Sequence, residues 1–237
     1  MSEIRLSNLT WREAESYFSR SDVAILPVGS TEQHGPQNPL GTDHLIAYAL
    51  ALEAGKRTGT LVLPPIPFGV SVHHSRFPGT VWVREEVFKE YVHDVIASLA
   101  SHGVRKVVVV NGHGGNLHAL LSLARELREK GVLVVVYQWW TLPELEKHFP
   151  REELGHAAAV ETSLNLYLHR EAVKMEAAVD EEPKKLPTDG VAYFPEYTND
   201  RTSSGVFGVA RTATREKGEK VFKIAVEALV KLIESLK

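Results

Sequence analysis

Four consecutive valines, Val107 to Val110 behind Lys106, constrain this chain more than any other feature. β-Branched side chains are stiff and suit a pleated strand. An unbroken apolar run has no polar face to turn to water, so this strand must be covered on both sides. Three more short apolar runs share its character: Val23 to Val28, Leu61 to Pro64 and Val132 to Tyr137. Helical patterns stand between them. A short helix runs from a Thr10 cap towards Arg20, and another from Leu45 to Ala54 with Thr42 as its cap. Glu85 to Ala100 places Val87, Tyr91, Val95 and Leu99 at four-residue intervals, an amphipathic helix. Leu117 to Glu129 is helical with Gly131 at C′, residues 157–169 form a further helix, and Arg215 to Leu236 closes the chain. Residues 174–211, with prolines at 183, 187 and 195, read as irregular. The alternation predicts an α/β fold, a largely parallel central sheet flanked by helices, as one domain over residues 1–237.

In such a sheet, ligands gather at the carboxyl ends of the strands. The residues that follow these strands are therefore the first candidates for chemistry. Val28 leads into Gly29-Ser30-Thr31-Glu32-Gln33-His34-Gly35-Pro36 and on to Gly41-Thr42-Asp43. Glu32 and His34 are two apart, so an extended segment points both the same way, as a metal site requires. Asp43 falls in the first turn of the following helix. Val110 leads into Asn111-Gly112-His113-Gly114-Gly115-Asn116, whose glycines let the backbone fold tightly around a ring. Beyond Leu61 to Pro64 lies Ser71-Val72-His73-His74, which brings His74 to the same end. Glu161 and His156 are five apart, about 140° around a regular helix. They cannot share one helical face, and Gly155 suggests that His156 lies in the entry loop. His73, His93, His102, His118, His148 and His169 are assigned to surface or core.

Composition narrows the chemistry. With no cysteine, disulfides and thiolate metal sites are excluded, so a metal must be held by His, Asp and Glu. Nitrogen and oxygen ligands suit Zn, Mn or Fe(II). A net charge of −3 gives no electrostatic case for nucleic acid or an acidic membrane surface. No apolar run approaches membrane-spanning length and no leader precedes the first element, so a soluble, cytoplasmic protein is expected. The glycine loop around His113 lacks the third glycine of a dinucleotide motif and the Lys-Ser/Thr of a phosphate loop. Neither a G-x-S-x-G elbow nor an H-E-x-x-H helix occurs.

The run Leu26 to Pro36, then Asp43, then Asn111 to Asn116, then Glu161-Thr162-Ser163 resembles the creatininase (creatinine amidohydrolase) family. Phe77-Pro78-Gly79-Thr80 and Ala213 to Gly218 are similar to further family signatures, so the likeness extends over nearly the whole chain. The resemblance implies a creatininase-type three-layer fold, two divalent metal ions per subunit, a homohexamer and a small-molecule amide substrate. Carried residue by residue, Glu32, His34, Asp43 and His113 match metal ligands, with Asp43 bridging. In creatininase proper a glutamate stands two residues after the loop histidine. Here that position is Gly115, and Glu161 of the E-T-S motif takes its place, as in many relatives. His156 matches the histidine implicated in catalysis, but the acidic residue before it is Gly155 here. The flap tryptophan has no counterpart near Glu152-Glu153-Leu154. Trp140 matches a pocket tryptophan, and it and His74 are assigned to substrate binding.

These departures leave the metal chemistry intact and make creatinine a doubtful substrate. The implied activity is hydrolysis of a non-standard amide C–N bond by a metal-bridging hydroxide, with His156 handing a proton to the leaving nitrogen. Rival readings are a formamidopyrimidine-nucleotide deformylase, which needs a cationic patch from residues such as Arg76 or Arg211, and a peptide-trimming enzyme. A metal-stabilised assembly protein without catalysis is the non-enzymatic alternative.

Overall fold

A computed structural model describes residues 3–237. In chain order the elements are α1 (Trp11–Phe18), β1 (Val23–Val28), α2 (Thr42–Thr58), β2 (Leu61–Val62), α3 (Glu85–Ser101) and β3 (Lys106–Asn111). They continue with α4 (Leu117–Glu129), β4 (Leu133–Gln138), α5 (Pro143–Glu146), α6 (Ala159–Leu168), α7 (Thr198–Arg201) and α8 (Arg215–Leu236). The four strands pair in the order β2-β1-β3-β4, all parallel.

Alternate residues of each strand enter opposite cores, as the two-residue period of a strand requires. Ile25, Val108 and Val110 pack beneath α2, α6 and α8, against Ile46, Leu50, Leu164 and Leu229. Ala24, Leu26, Val107 and Val109 pack beneath α3 and α4, against Phe88, Val92, Ile96 and Leu123. The valine run is buried on both faces, giving the three layers that the sequence pattern predicts.

Two local expectations change. Thr42 does not cap α2: the helix begins at Thr42 behind Gly41, and the Thr42 hydroxyl donates to the Pro39 carbonyl instead. The buried stripe of α3 is Phe88, Val92, Ile96 and Leu99, whereas Val87 and Tyr91 are 44% and 56% exposed. Thr10 does cap α1, in a reciprocal box with Glu13. Gly131 takes a left-handed conformation just beyond α4, as expected of C′.

The strand order also places the site. From β1 the chain moves to β2 on one side, while β3 and β4 lie on the other. The loops that leave β1 and β3 therefore diverge and open a crevice at their carboxyl ends.

Candidate metal centre

Glu32, His34 and His113 stand at the crevice between the ends of β1 and β3, and two helix N-termini bring carboxylates to meet them. Asp43 lies in the first turn of α2 and Glu161 in the first turn of α6, where the helix dipole favours negative charge. The loop from Gly29 to Gly41 is closed at its base by the Glu32 amide, which donates to the Leu40 carbonyl at 2.9 Å. A side chain at Gly112 would strike the Asp43 backbone, so glycine there is what lets α2 start against the end of β3.

Of three overlapping ligand groups among the described residues, one joins Glu32, His34 and His156, and the other two share Asp43. Glu32, Asp43 and His113 form the first of these two, and His34, Asp43 and Glu161 the second, each offering ligand atoms within 4.8 Å of one another. Asp43 divides its oxygens: Oδ1 is 2.9 Å from His34 Nε2, and Oδ2 is 3.2 Å from His113 Nδ1. Glu32 Oε2 is 3.1 Å from the same His113 nitrogen. Each imidazole is oriented from behind. His113 Nε2 donates to the Val70 carbonyl at 3.1 Å and His34 Nδ1 to the Glu32 carbonyl at 3.2 Å, so the inward nitrogens are the ones that would offer lone pairs to an ion once their protons leave. Buried polar atoms are almost always hydrogen-bonded. Glu32 Oε1 and Oε2, His34 Nε2 and Asp43 Oδ2 are buried without a hydrogen-bond partner, and all four point into this cluster. A nitrogen and oxygen donor set with orphaned inward atoms fits divalent cations.

The protonation states of the metal-free cluster follow from burial and close charges. Burial opposes the charge on Glu32, yet His113 and His74 hold its carboxyl well below the usual range. Burial also opposes a charged His34, but the adjoining Asp43 pushes it up to about 10. Glu161 is raised to about 7, first by burial and then by the Asp43 charge against the opposing pull of His34. His156 is held well below an ordinary imidazole by burial and by His34 and His74, which favour its uncharged form.

A cavity of about 280 Å³ lies over the cluster. Asp43, His113, His156 and Glu161 line it, with His74 and Trp140, so these sequence-selected residues meet in one place. His156 is in the loop before α6, as Gly155 suggested, with its ring 4.5 Å from that of His34 and 4.6 Å from that of His74. His74 is buried and faces Glu32 Oε1 at 3.1 Å. Trp139 is core and its neighbour Trp140 is only partly buried.

Several cavity residues were not selected from sequence. His73, assigned to surface or core, stacks on His113 with ring centroids 5.4 Å apart. Burial, then His74 and His113, depress it to about 4. Gln33 places its side-chain amide 3.0 Å from His74 Nδ1 and 2.8 Å from His156 Nε2, so it joins the two rings; its place between two selected ligands was the available signal. Tyr197, Thr198, Arg201 and Phe207 come from the stretch read as irregular. Arg76 and Arg211 do not line the cavity: Arg76 lies over the Tyr197 ring and pairs with Asp200, and Arg211 donates to the Ala178 carbonyl.

Known proteins resemble this chain in sequence and in fold. The creatinine amidohydrolase family model matches residues 7–233. Creatinine amidohydrolase of Pseudomonas putida is 32% identical over 96% of this chain and 95% of its own length. The 3-dehydro-scyllo-inosose hydrolase of Thermotoga maritima is 30% identical over 98% of this chain and 82% of its own. A crystal structure of creatininase superposes with a TM-score of 0.86 at 32% identity, covering 99% of this chain and 98% of that one. A Zn–Zn form of a creatininase variant matches at a TM-score of 0.85 and 29% identity, and a Mn form at 0.84 and 30%, over 99% and 98% of this chain and 98% of each of theirs. The chain belongs to the creatininase family of hydrolases.

Proposed function

We propose that this chain is a two-metal amidohydrolase that cleaves a non-standard amide C–N bond in a small molecule carrying no phosphate. The observation that carries this reading is the pair of ligand groups sharing Asp43 at the floor of a cavity large enough for a small substrate. Glu32, Asp43 and His113 would hold one ion, and His34, Asp43 and Glu161 the other. Bound divalent ions supply an activated water at neutral pH and a Lewis acid for the amide carbonyl.

The chain's own residues supply the rest. His156, neutral and at the cavity wall, is placed to carry a proton to the leaving nitrogen. Gln33 holds its ring in place, and His74 backs Glu32. Trp140 and Phe207 give the cavity a flat apolar wall. Among the described residues, the only Arg or Lys lining the cavity is Arg201, and its guanidinium is occupied by Asp189 at 2.6 Å and Glu196 at 2.5 Å. A nucleotide phosphate would meet no free cation there, which favours an uncharged amide over the formamidopyrimidine nucleotide. An assembly protein needs no cavity beside its metals, which favours catalysis. A single unit over residues 1–237, a homohexamer and a cytoplasmic location complete the proposal by family resemblance. Among the described residues, no helix is long and apolar enough to cross a membrane.

The test is metal analysis of purified protein, then a screen of cyclic amides, formamides and short peptides with the native metal in place. Glu32→Gln and His113→Ala are expected to lower metal content and to reduce hydrolysis by at least about a hundredfold. Unchanged metal content and unchanged hydrolysis in both would sink the reading.

A further inference from the structure

The two ligand groups that share Asp43 differ in one scaffold. Glu32, His34 and His113 follow strands β1 and β3, and Asp43 opens α2 against their ends. Asn111 Nδ2 donates to the His113 carbonyl, and Asn116 Nδ2 to the Gly29 carbonyl at 3.0 Å, so two buried amides lock the ends of β1 and β3 around the Glu32–Asp43–His113 group. Glu161 is on α6, away from these ties. Apolar packing of α6 against α8 presses the helix down, but such packing is non-directional and does not fix where a carboxylate lands.

The Ala157 amide, donating to Glu161 Oε2 at 2.6 Å, holds the carboxylate itself, and a separate buried polar chain sets the register of α6 against α2. Thr42, next to Asp43, accepts from Asn165 Nδ2 at 2.9 Å. The same nitrogen donates to Asn38 Oδ1 at 3.1 Å, and Asn38 Nδ2 donates at 2.9 Å to the hydroxyl of Thr162, next to Glu161. Gln37 reinforces the link, its Nε2 donating to the Ala157 carbonyl at 2.7 Å. Thr42, Thr162 and Asn165 are fully buried, so any slip of α6 along α2 strands these groups without water.

We propose that the Asn38–Asn165 amide chain is the positioning device of the His34–Asp43–Glu161 ion position, setting its affinity while leaving the Glu32–Asp43–His113 position alone. The inference rests on the two-ion reading above. Outer partners of metal ligands commonly change affinity about 10- to 100-fold, and here the partner is a helix register rather than a single contact.

The test uses the full-length protein, stripped with a chelator and titrated with Zn²⁺ alone, following stoichiometry and both dissociation constants. Wild type is expected to bind two ions per chain. In Thr162→Val, which keeps the shape and removes the hydroxyl, and in Asn165→Leu, one ion is expected to bind as in wild type and the other about 10- to 100-fold more weakly. Circular dichroism of the stripped variants checks that the fold is retained, with Thr162→Val as the milder change. Two ions bound at wild-type affinity in Thr162→Val, or both weakened equally, overturns the inference. A single ion on wild type overturns the two-ion reading itself.

Discussion

A backbone carbonyl occupies the space that a side chain at position 155 would need. The Cβ of any residue there runs into the Phe207 carbonyl, and one at position 115 runs into the Val70 carbonyl. The family resemblance implies acidic residues at these two positions in creatininase proper; here backbone carbonyls leave no room for a side chain at either. Gly155→Ala is expected to cost about 1–3 kcal/mol of stability by overpacking, read as a lower midpoint in urea. Gly155→Glu is expected to be worse rather than to restore a creatininase-like site. Beside it, Ala157 has φ of 55°, alone among non-glycine residues described in the left-handed region. Its amide donates to Glu161 Oε2 at 2.6 Å, so the strained backbone serves a ligand carboxylate. Ala157→Val puts a β-branched side chain in that conformation and is expected to cost at least about 2 kcal/mol, whereas Ala157→Gly trades strain relief against chain entropy and stays within about 1 kcal/mol. Equal losses in the two variants would argue that burial of the side chain, not backbone strain, sets the cost. The gathering of the candidate ligands was legible because Glu32, His34 and His113 follow strands in glycine-rich loops. His73 was not, because a side chain that acts through a neighbouring ring has no spacing rule.

The strands could be read from sequence because burial on both faces leaves a four-valine run no other use. The amphipathic helix α3 was legible, but its row Val87, Tyr91, Val95 and Leu99 meets the core only at Val95 and Leu99, since apolar residues at strict four-residue intervals match several stripes of one helix. Only the packing of α3 against β1, β3 and α4 decides between them. The buried stripe separates adjacent residues: Phe88 is 1% exposed and Val87 is 44% exposed. Phe88→Ala is expected to cost about 3–5 kcal/mol by cavity formation, and Val87→Ala at most about 0.5 kcal/mol in the isolated chain. Chemical denaturation of the two variants reads the difference; a larger loss for Val87→Ala would make Val87 part of the buried stripe. The wall formed by Tyr197, Thr198 and Phe207 was beyond sequence reading for a related reason. Its shape comes from long-range ties such as Thr198 Oγ1 to His74 Nδ1 at 2.7 Å, not from any local period.

For the molecule as a whole, the cluster couples stability to both pH and metal, with opposite signs. A group whose folded pKa lies above its unfolded value binds more protons folded than unfolded between the two, so stability falls as pH rises through that window. For Glu161 the window runs from 4.5 to about 7, and for His34 from 6.5 to about 10. The stripped chain is therefore expected to lose stability steadily from neutral pH towards 10. His156, held below its usual value, acts the other way: the folded chain takes up fewer protons than the unfolded one, so stability is lost as pH falls below 6.5. Divalent ions require the ligands without their protons, so affinity rises with pH and binding releases protons. At a thousandfold excess over Kd, bound metal adds about 4 kcal/mol of stability at a single site. The gap in Tm between metal-loaded and stripped protein is thus expected to widen as pH rises from about 6.5 to 10. Paired melts across that range measure it, and titrations in buffers of different ionisation enthalpy count the protons released. A gap independent of pH would mean that His34 and Glu161 do not give up protons when metal binds, and that the ligand set has been misassigned.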